Sequence, residues 1–411
     1  MIGLRSERLG EGGSSSNESL EELEALLETA GGESIATVLQ NLNAPNPRSF
    51  IGEGKVQEIK ELAKANDCTM VVFDNELSPS QMRVLTEVLE VKVLDRSGLI
   101  LDIFAQRAQT REGQLQVELA QYEYLLPRLT GMWRHLTSQT GTSAPIGTRG
   151  PGETQLESDR RHIRRKITKL REELDSIRRV RATQRRQRER SDVPVVALVG
   201  YTNAGKSTLL NRLTGAGIPA RDRLFDTLDT TTRKLSIDDK REVLLSDTVG
   251  FIRRLPHHLV AAFKATLEEL KYAAVLLHVI DISATDWMEQ AAIVDDMVRE
   301  LEAEKTPCIR VYNKCDAYIG ELPHGENTVC VSAQTGEGTD ELIAMLSRLL
   351  NQDRRQVTLQ LPYDYNKGGA LIEALHREAK VLSVEYGEET VEVEVIIDSR
   401  LWGRVRDFVQ D

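Results

Sequence analysis

The chain has 411 residues, a length for two to four domains, and its 40 % hydrophobic, 28 % charged composition is that of a globular protein able to bury a core. No run approaches ~20 uninterrupted apolar residues, and the first residues lack an apolar stretch, so neither a membrane span nor a secretory signal is expected. Four scattered cysteines (Cys68, Cys308, Cys315, Cys330) without a CxxC pair exclude a zinc ribbon or disulfide framework and fit a reducing cytoplasm, with contact to a membrane surface left open.

Aromatics make up only 5 %, which argues against a broad base-stacking platform. The net charge of -11 looks hostile to nucleic acid, but it is unevenly spread. Ser158 to Arg190 holds 14 Lys/Arg against 5 Asp/Glu, a local +9 that leaves -20 for the remainder. Such polarity predicts one directed electrostatic contact.

Residues 1–17 are Gly/Ser/Glu-rich and expected to be loose. Ser19 then reads as a helix N-cap, with Glu22 three residues on as in a capping box. From 18 to 107, apolar runs (SIATVLQNL, TMVVFD, VKVLD) alternate with helical patterns (KVQEIKELAKAN, PSQMRVLTEVLE). That alternation predicts a small α/β domain with a mainly parallel sheet.

Residues 108–191 read as an antiparallel helical hairpin. Leu115, Leu119, Tyr122, Leu126, Leu129, Trp133 and Leu136 repeat at 4 and 3, as do Ile163, Ile167, Leu170, Leu174 and Ile177. Each seam would be wet alone, and together they can pack. Pro127 should kink the first helix. The tip, 138–154, is Gly/Pro-rich and cannot form a core. The basic run is either an RNA-facing surface or a solvated coiled-coil face.

Residues 192–351 alternate strand and helix, and 352–411 read as a small α+β unit. The strand VPVVALVG runs into Gly200, Tyr201, Thr202, Asn203, Ala204, Gly205, Lys206 and Ser207, then a helix. This GxxxxGKS loop in its strand–loop–helix setting turns backbone N–H groups around phosphates, with the helix dipole behind them. Lys206 would neutralise the β/γ-phosphates and Ser207 would ligate magnesium.

Three later segments choose guanine. Asn313, Lys314, Cys315 and Asp316 resemble the NKxD box, in which the aspartate accepts from two guanine donors that adenine does not offer. Asn313 and Lys314 would brace and cover the base. Ser332, Ala333 and Gln334 resemble the box that backs the base with a backbone N–H. Asp247, Thr248, Val249 and Gly250 resemble DxxG, with Asp247 reaching magnesium through water and the Gly250 N–H sensing the γ-phosphate.

The switch I hydroxyl for magnesium is assigned to Thr227, within Phe225, Asp226, Thr227, Leu228 and Asp229, by resemblance to relatives with F-x-T-L-D. Where many GTPases carry a water-orienting Gln, this chain has Phe251, which cannot hydrogen-bond through its side chain. A packed Phe251 together with slow intrinsic hydrolysis is expected, with a partner or ion completing a site of Lys206, Asn203 and Gly250. By resemblance to relatives with Asn there, Asn203 either holds potassium beside the phosphates or is an ordinary loop residue.

The order FIGEGK, LDIFAQRA, QLQVELAQ, RGPGETQLESDRR, GYTNAGKS, FDTLD, DTVGF, NKCD and SAQTGEG resembles the HflX-type GTPases over about residues 35–350. The resemblance implies a cytosolic, monomeric GTPase with no DNA contact, which binds the large ribosomal subunit and its rRNA and splits stalled or idle ribosomes. Arg149, Gly150, Arg160 and Arg161 fall on the motif and are the expected RNA contacts. The alternative is a GTP-dependent silencing or assembly factor whose hydrolysis only controls release. A tRNA-modifying GTPase lacks support, because neither a one-carbon domain nor a catalytic C-terminal cysteine is found. FIGEGK is either a turn into a helix or a partial second nucleotide loop.

Overall fold

A computed structural model describes residues 1–9, 15–131, 151–188, 193–217, 224–225, 231–238, 241–255, 268–351, 355–363, 369–387, 390–397 and 399–409. The N-terminal unit is a parallel four-stranded sheet of β1 (Ile2–Arg5), β2 (Val38–Asn41), β3 (Met70–Phe73) and β4 (Lys92–Asp95), in the order β2-β1-β3-β4. Its helices are α1 (Asn17–Thr29), α2 (Glu53–Ala65), α3 (Pro79–Leu89) and α4 (Arg96–Arg107).

The expectation of a loose N-terminus is corrected here. Ile2 and Leu4 are buried in an interior strand. Gly3 admits this packing, because a Cβ there would lie 2.9 Å from the Ser15 Cβ and 3.0 Å from Leu20. The composition of residues 10–17 masked a strand only four residues long. The capping assignment also moves. Ser16 is the N-cap and accepts the Ser19 N–H at 3.2 Å, while Ser19 and Glu22 turn their side chains inward. FIGEGK forms the turn into α2: Gly52 is its N-cap and donates to Gln40 Oε1 at 2.9 Å, and Lys55 pairs with Glu58.

The arm follows as α5 (Arg111–Leu125) and the 38-residue α6 (Pro151–Arg188). Leu115 and Leu119 meet Ile167, Leu170 and Leu174 in one buried seam, flanked by Tyr122, Leu126, Ile163 and Ile177. The 4-3 spacing thus packs as the periodicity requires. Pro127 ends α5 rather than kinking it, and a short 3-10 turn, Arg128–Gly131, follows. Leu129 lies in that turn, while Trp133 and Leu136 lie outside the described residues. Residues 151–154, expected in the tip, begin α6 with proline at its first position, where no N–H is needed. The rest of the tip lies outside the described residues.

The third unit is a six-stranded sheet of β5 (Val195–Gly200), β6 (Thr231–Asp238), β7 (Arg241–Asp247), β8 (Val275–Asp281), β9 (Cys308–Asn313) and β10 (Thr328–Cys330), ordered β10-β9-β8-β5-β7-β6. Only the edge pairing β6–β7 is antiparallel. Helices α7 (Lys206–Thr214), α8 (Trp287–Glu300) and α9 (Thr339–Asn351) flank it.

Alternation along β5 sends Val196 and Leu198 into a core with α7 and α9, and Ala197, Val199 and Tyr201 into another. That second core is continuous with Leu23, Ile100 and Phe104 of the N-terminal unit, so one apolar interior joins the two sheets.

The last unit is the antiparallel sheet β11 (Arg355–Pro362), β13 (Thr390–Ile397), β12 (Lys380–Tyr386), with α10 (Ala370–Glu378) and α11 (Ser399–Val405). Val391, Val393, Val395 and Ile397 are buried in alternation and form its core with Leu359, Leu361 and Leu375.

Candidate functional site: the phosphate loop and its neighbours

The site stands at the carboxyl ends of β5, β7 and β9, where open α/β sheets bind ligands. Gly200 must be glycine, since a Cβ would lie 2.3 Å from the Val279 carbonyl oxygen. Gly205 has φ +89, and a Cβ there would meet Asn313 Nδ2 at 2.2 Å. Lys206 is buried and donates to the carbonyls of Gly200 (3.1 Å) and Tyr201 (2.7 Å). Burial pushes its ammonium down to about 8, against the opposing pull of Asp247.

Ser207 Oγ donates to Asp247 Oδ2 at 2.6 Å. A hydroxyl beside a buried carboxylate is an all-oxygen donor pair, and it suits magnesium, which favours hard ligands.

The base boxes interlock. Asn313 donates to the Ala204 carbonyl at 2.8 Å and accepts the Ala333 N–H at 2.9 Å, so one side chain ties the phosphate loop to Ser332, Ala333 and Gln334. Arg212 of α7 donates to the carbonyls of Ala333 (3.1 Å) and Gln334. Lys314, at φ +62, pairs with Asp281 at 2.6 Å. Asp316 is exposed and Cys315 half-buried. Asn203, at φ +61, is exposed in the loop.

Other predicted site residues turn their side chains elsewhere. The Thr248 hydroxyl donates to the Leu198 carbonyl at 2.6 Å, and Val249 is buried in the shared core. Phe251 is 1 % exposed in that core. Its N–H donates to the Gly200 carbonyl (3.1 Å) and its carbonyl accepts the Thr202 N–H (2.7 Å), so its backbone pairs with the phosphate loop. Phe225 is buried edge-on against Phe104 of α4, with ring centroids 4.6 Å apart. Asp226, Thr227, Leu228 and Asp229 lie outside the described residues, as do Arg149 and Gly150. Arg160 is half-buried and Arg161 exposed on α6.

A charged cluster that the sequence reasoning missed lies between the two sheets. Arg96 is 2 % exposed and pairs with Glu22 and, at 2.8 Å, with Asp74. Asp74 also accepts from Ser15 (2.6 Å), Ser19 and Arg254 (2.6 Å). Burial alone would raise its carboxyl, but Arg96 and Arg254 hold it below the ordinary carboxylate range. Glu22 reaches the phosphate loop as well, accepting from the Tyr201 hydroxyl, which itself accepts the Arg253 N–H at 2.8 Å. Burial, then Glu22, push that phenol up. One signal was visible: Asp74 and Asp95 each end a short apolar run, at the carboxyl ends of parallel strands.

Strand, phosphate loop, helix, DxxG and two base boxes in this arrangement define a P-loop GTPase. Family models described as "GTP-binding GTPase N-terminal", "GTP-binding GTPase Middle Region" and "50S ribosome-binding GTPase" match residues 17–105, 107–188 and 195–314. The chain is 47 % identical over 393 residues to GTPase HflX of Lacrimispora saccharolytica, covering 95 % of this chain and 92 % of that one. It is 48 % identical over 352 residues to GTPase HflX of Escherichia coli K12, covering 84 % and 82 %. A crystal structure of a GTP-binding protein from the hyperthermophilic archaeon Sulfolobus solfataricus in complex with GDP matches at 26 % identity and a TM-score of 0.45, covering 85 % of this chain and 98 % of that one. The chain belongs to the HflX family of GTPases, enzymes that hydrolyse GTP to GDP.

Proposed function

We propose that this GTPase binds the large ribosomal subunit and its rRNA through the α5–α6 arm, and that its GTP cycle splits or recycles stalled or idle ribosomes. The observation that carries this reading is the arm itself. An apolar seam zips α6 along α5, whose opposite face (Val117, Ala120, Tyr124) lies in the N-terminal core, and Arg161, Arg164, Arg165, Lys169 and Arg179 are exposed along α6. Arg171 and Arg181 instead pair with Glu123 and Glu112 of α5, so part of the basic run fastens the hairpin. The exposed remainder suits a phosphate backbone, with binding weakened by salt. The matching family description, 50S ribosome-binding GTPase, supports the same partner.

At the site, Lys206 would hold the β/γ-phosphates, and Asp316 and Asn313 the guanine and its loop. Ser207, Asp247 and Thr227 would hold magnesium, which supplies charge neutralisation between the phosphates when bound. Phe251 offers the attacking water nothing through its side chain, so hydrolysis is slow until a partner, or potassium beside Asn203, completes the site. The protein would act as a cytoplasmic monomer; among the described residues no helix is long and apolar enough to cross a membrane.

Light scattering of intact ribosomes tests the proposal. GTP and protein should lower the signal, and a variant lacking residues 138–154 should not lower it while keeping guanine-nucleotide affinity. Binding without any drop in scattering would refute splitting and leave a docking factor.

A further inference from the structure

The N-terminal unit touches three segments around the nucleotide site. Phe104 packs on Phe225 beside switch I. Glu22 accepts from Tyr201 in the phosphate loop. Asp74 pairs with Arg254, four residues past Gly250, in the segment that follows the DxxG box and is called switch II here. The two neighbouring arginines divide between the units: Arg253 pairs with Asp286 and Glu289 around the start of α8, and Arg254 crosses to Asp74.

Two further features mark the segment from Gly250 to Arg254, switch II. Arg254 has φ +51, a left-handed backbone that is uncommon for a non-glycine residue. Gly250 lies hard against the phosphate loop: a Cβ there would meet Thr202 Cα at 3.0 Å and Lys206 Nζ at 3.1 Å. The Gly250 backbone therefore lies close to the lysine that would hold a third phosphate.

We propose that the Asp74–Arg254 ion pair is a latch between the N-terminal and GTPase units that holds switch II over Lys206 and so sets the preference for the nucleoside diphosphate over the triphosphate. A γ-phosphate seated between Lys206 and Gly250 lifts this segment, and the lift strains or breaks the pair. A diphosphate leaves Gly250 where it is. By linkage, whatever draws Arg254 from Asp74 favours the triphosphate, and the triphosphate favours the open latch. Asp74 and Arg254 are thus positioning residues that act through Gly250. Asp74 keeps Arg96, Ser15 and Ser19 when Arg254 is lost, so the N-terminal unit stays satisfied. The inference rests on the GTPase site and not on the ribosomal reading.

The test is the ratio of dissociation constants for GDP and a non-hydrolysable GTP analogue, measured with the full chain. Arg254→Ala should tighten the GTP analogue about tenfold, within the usual range of coupling, and leave GDP within about twofold. Arg254→Lys should restore most of the original ratio, which general loosening of the loop would not. Asp74→Asn should shift the ratio the same way, and the double variant should add little to either single change. Urea unfolding accompanies each variant, and Arg254→Gln replaces any that fails to fold. An unchanged ratio, equal shifts for both nucleotides, or additive effects of the two changes would each overturn the latch.

Discussion

At the carboxyl ends of β3 and β4 stand Asp74 and Asp95, both fully buried and both met by arginines of the N-terminal half of the chain. Asp95 caps α4 through the Gly98 N–H and also accepts from Tyr124 (2.8 Å) and Arg128 (3.1 Å). At the carboxyl ends of β5 and β7 the second parallel sheet instead presents the phosphate loop, with Lys206 held by carbonyls and Asp247 by Ser207. Both ends are where parallel sheets place ligands. In the first sheet guanidinium groups from within the protein fill the position. In the second, glycines keep side chains out and leave it for phosphates. A parallel topology therefore marks a place for a site, and the side chains at that place decide whether it binds or braces.

The sharpest break of this comparison is Arg96→Met. It leaves the buried Asp74 and the half-buried Glu22 each short of a partner, and should cost about 3–5 kcal/mol in urea unfolding. A cost under 1 kcal/mol would mean the N-terminal sheet does not depend on its internal cation. Lys206→Ala should do the reverse. Fluorescent GDP titration should show about 100-fold weaker binding, about 2.7 kcal/mol, while unfolding of the nucleotide-free protein is not weakened.

Phe251→Gln places an amide in the apolar core and should lower stability by about 2 kcal/mol. It should not speed hydrolysis per folded molecule, because the side chain at this position faces the core. A faster rate would show that position 251 can reach the water.

The pH dependence separates the two sheets further. The Lys206 pKa falls from 10.5 to about 8 on folding, so the free protein loses the charge that phosphates need as pH rises through 8. GDP affinity should fall about threefold between pH 7.5 and 8.5, an interval kept below the range in which guanine itself ionises. Over the interval from about 8 to 10.5 the unfolded chain binds the extra proton, so this residue makes the nucleotide-free fold more stable as affinity declines. A flat affinity profile would mean that Lys206 stays charged in the free protein. The smallest effect belongs to the exposed Arg171–Glu123 pair of the arm, where Arg171→Ala should change unfolding by under about 1 kcal/mol.

The elements most legible in the sequence are those whose signal is local. The hairpin seam repeats at 4 and 3 and packs as one core because that spacing returns to one helix face. The alternating valines of TVEVEVII become β13 for the matching reason in a strand. The base boxes were readable because each sits beside its own strand. Ile2–Arg5 was not readable, because four residues are too few for a period and glycine replaces one of them.

The sequence by itself determined that this chain is a guanine-nucleotide hydrolase with a basic arm, since phosphate loops and base boxes must keep fixed residue types at fixed spacing. Only the tertiary structure decided what Glu22, Asp74, Arg96 and Arg254 do. Glu22 looked like a cap and Arg254 carried no signal, because the buried ion cluster is assembled from bonded pairs as far as 180 positions apart. No local period records such a meeting; it exists only once two sheets share one apolar core, where an unpaired charge would be costly and a paired one holds its partners in place.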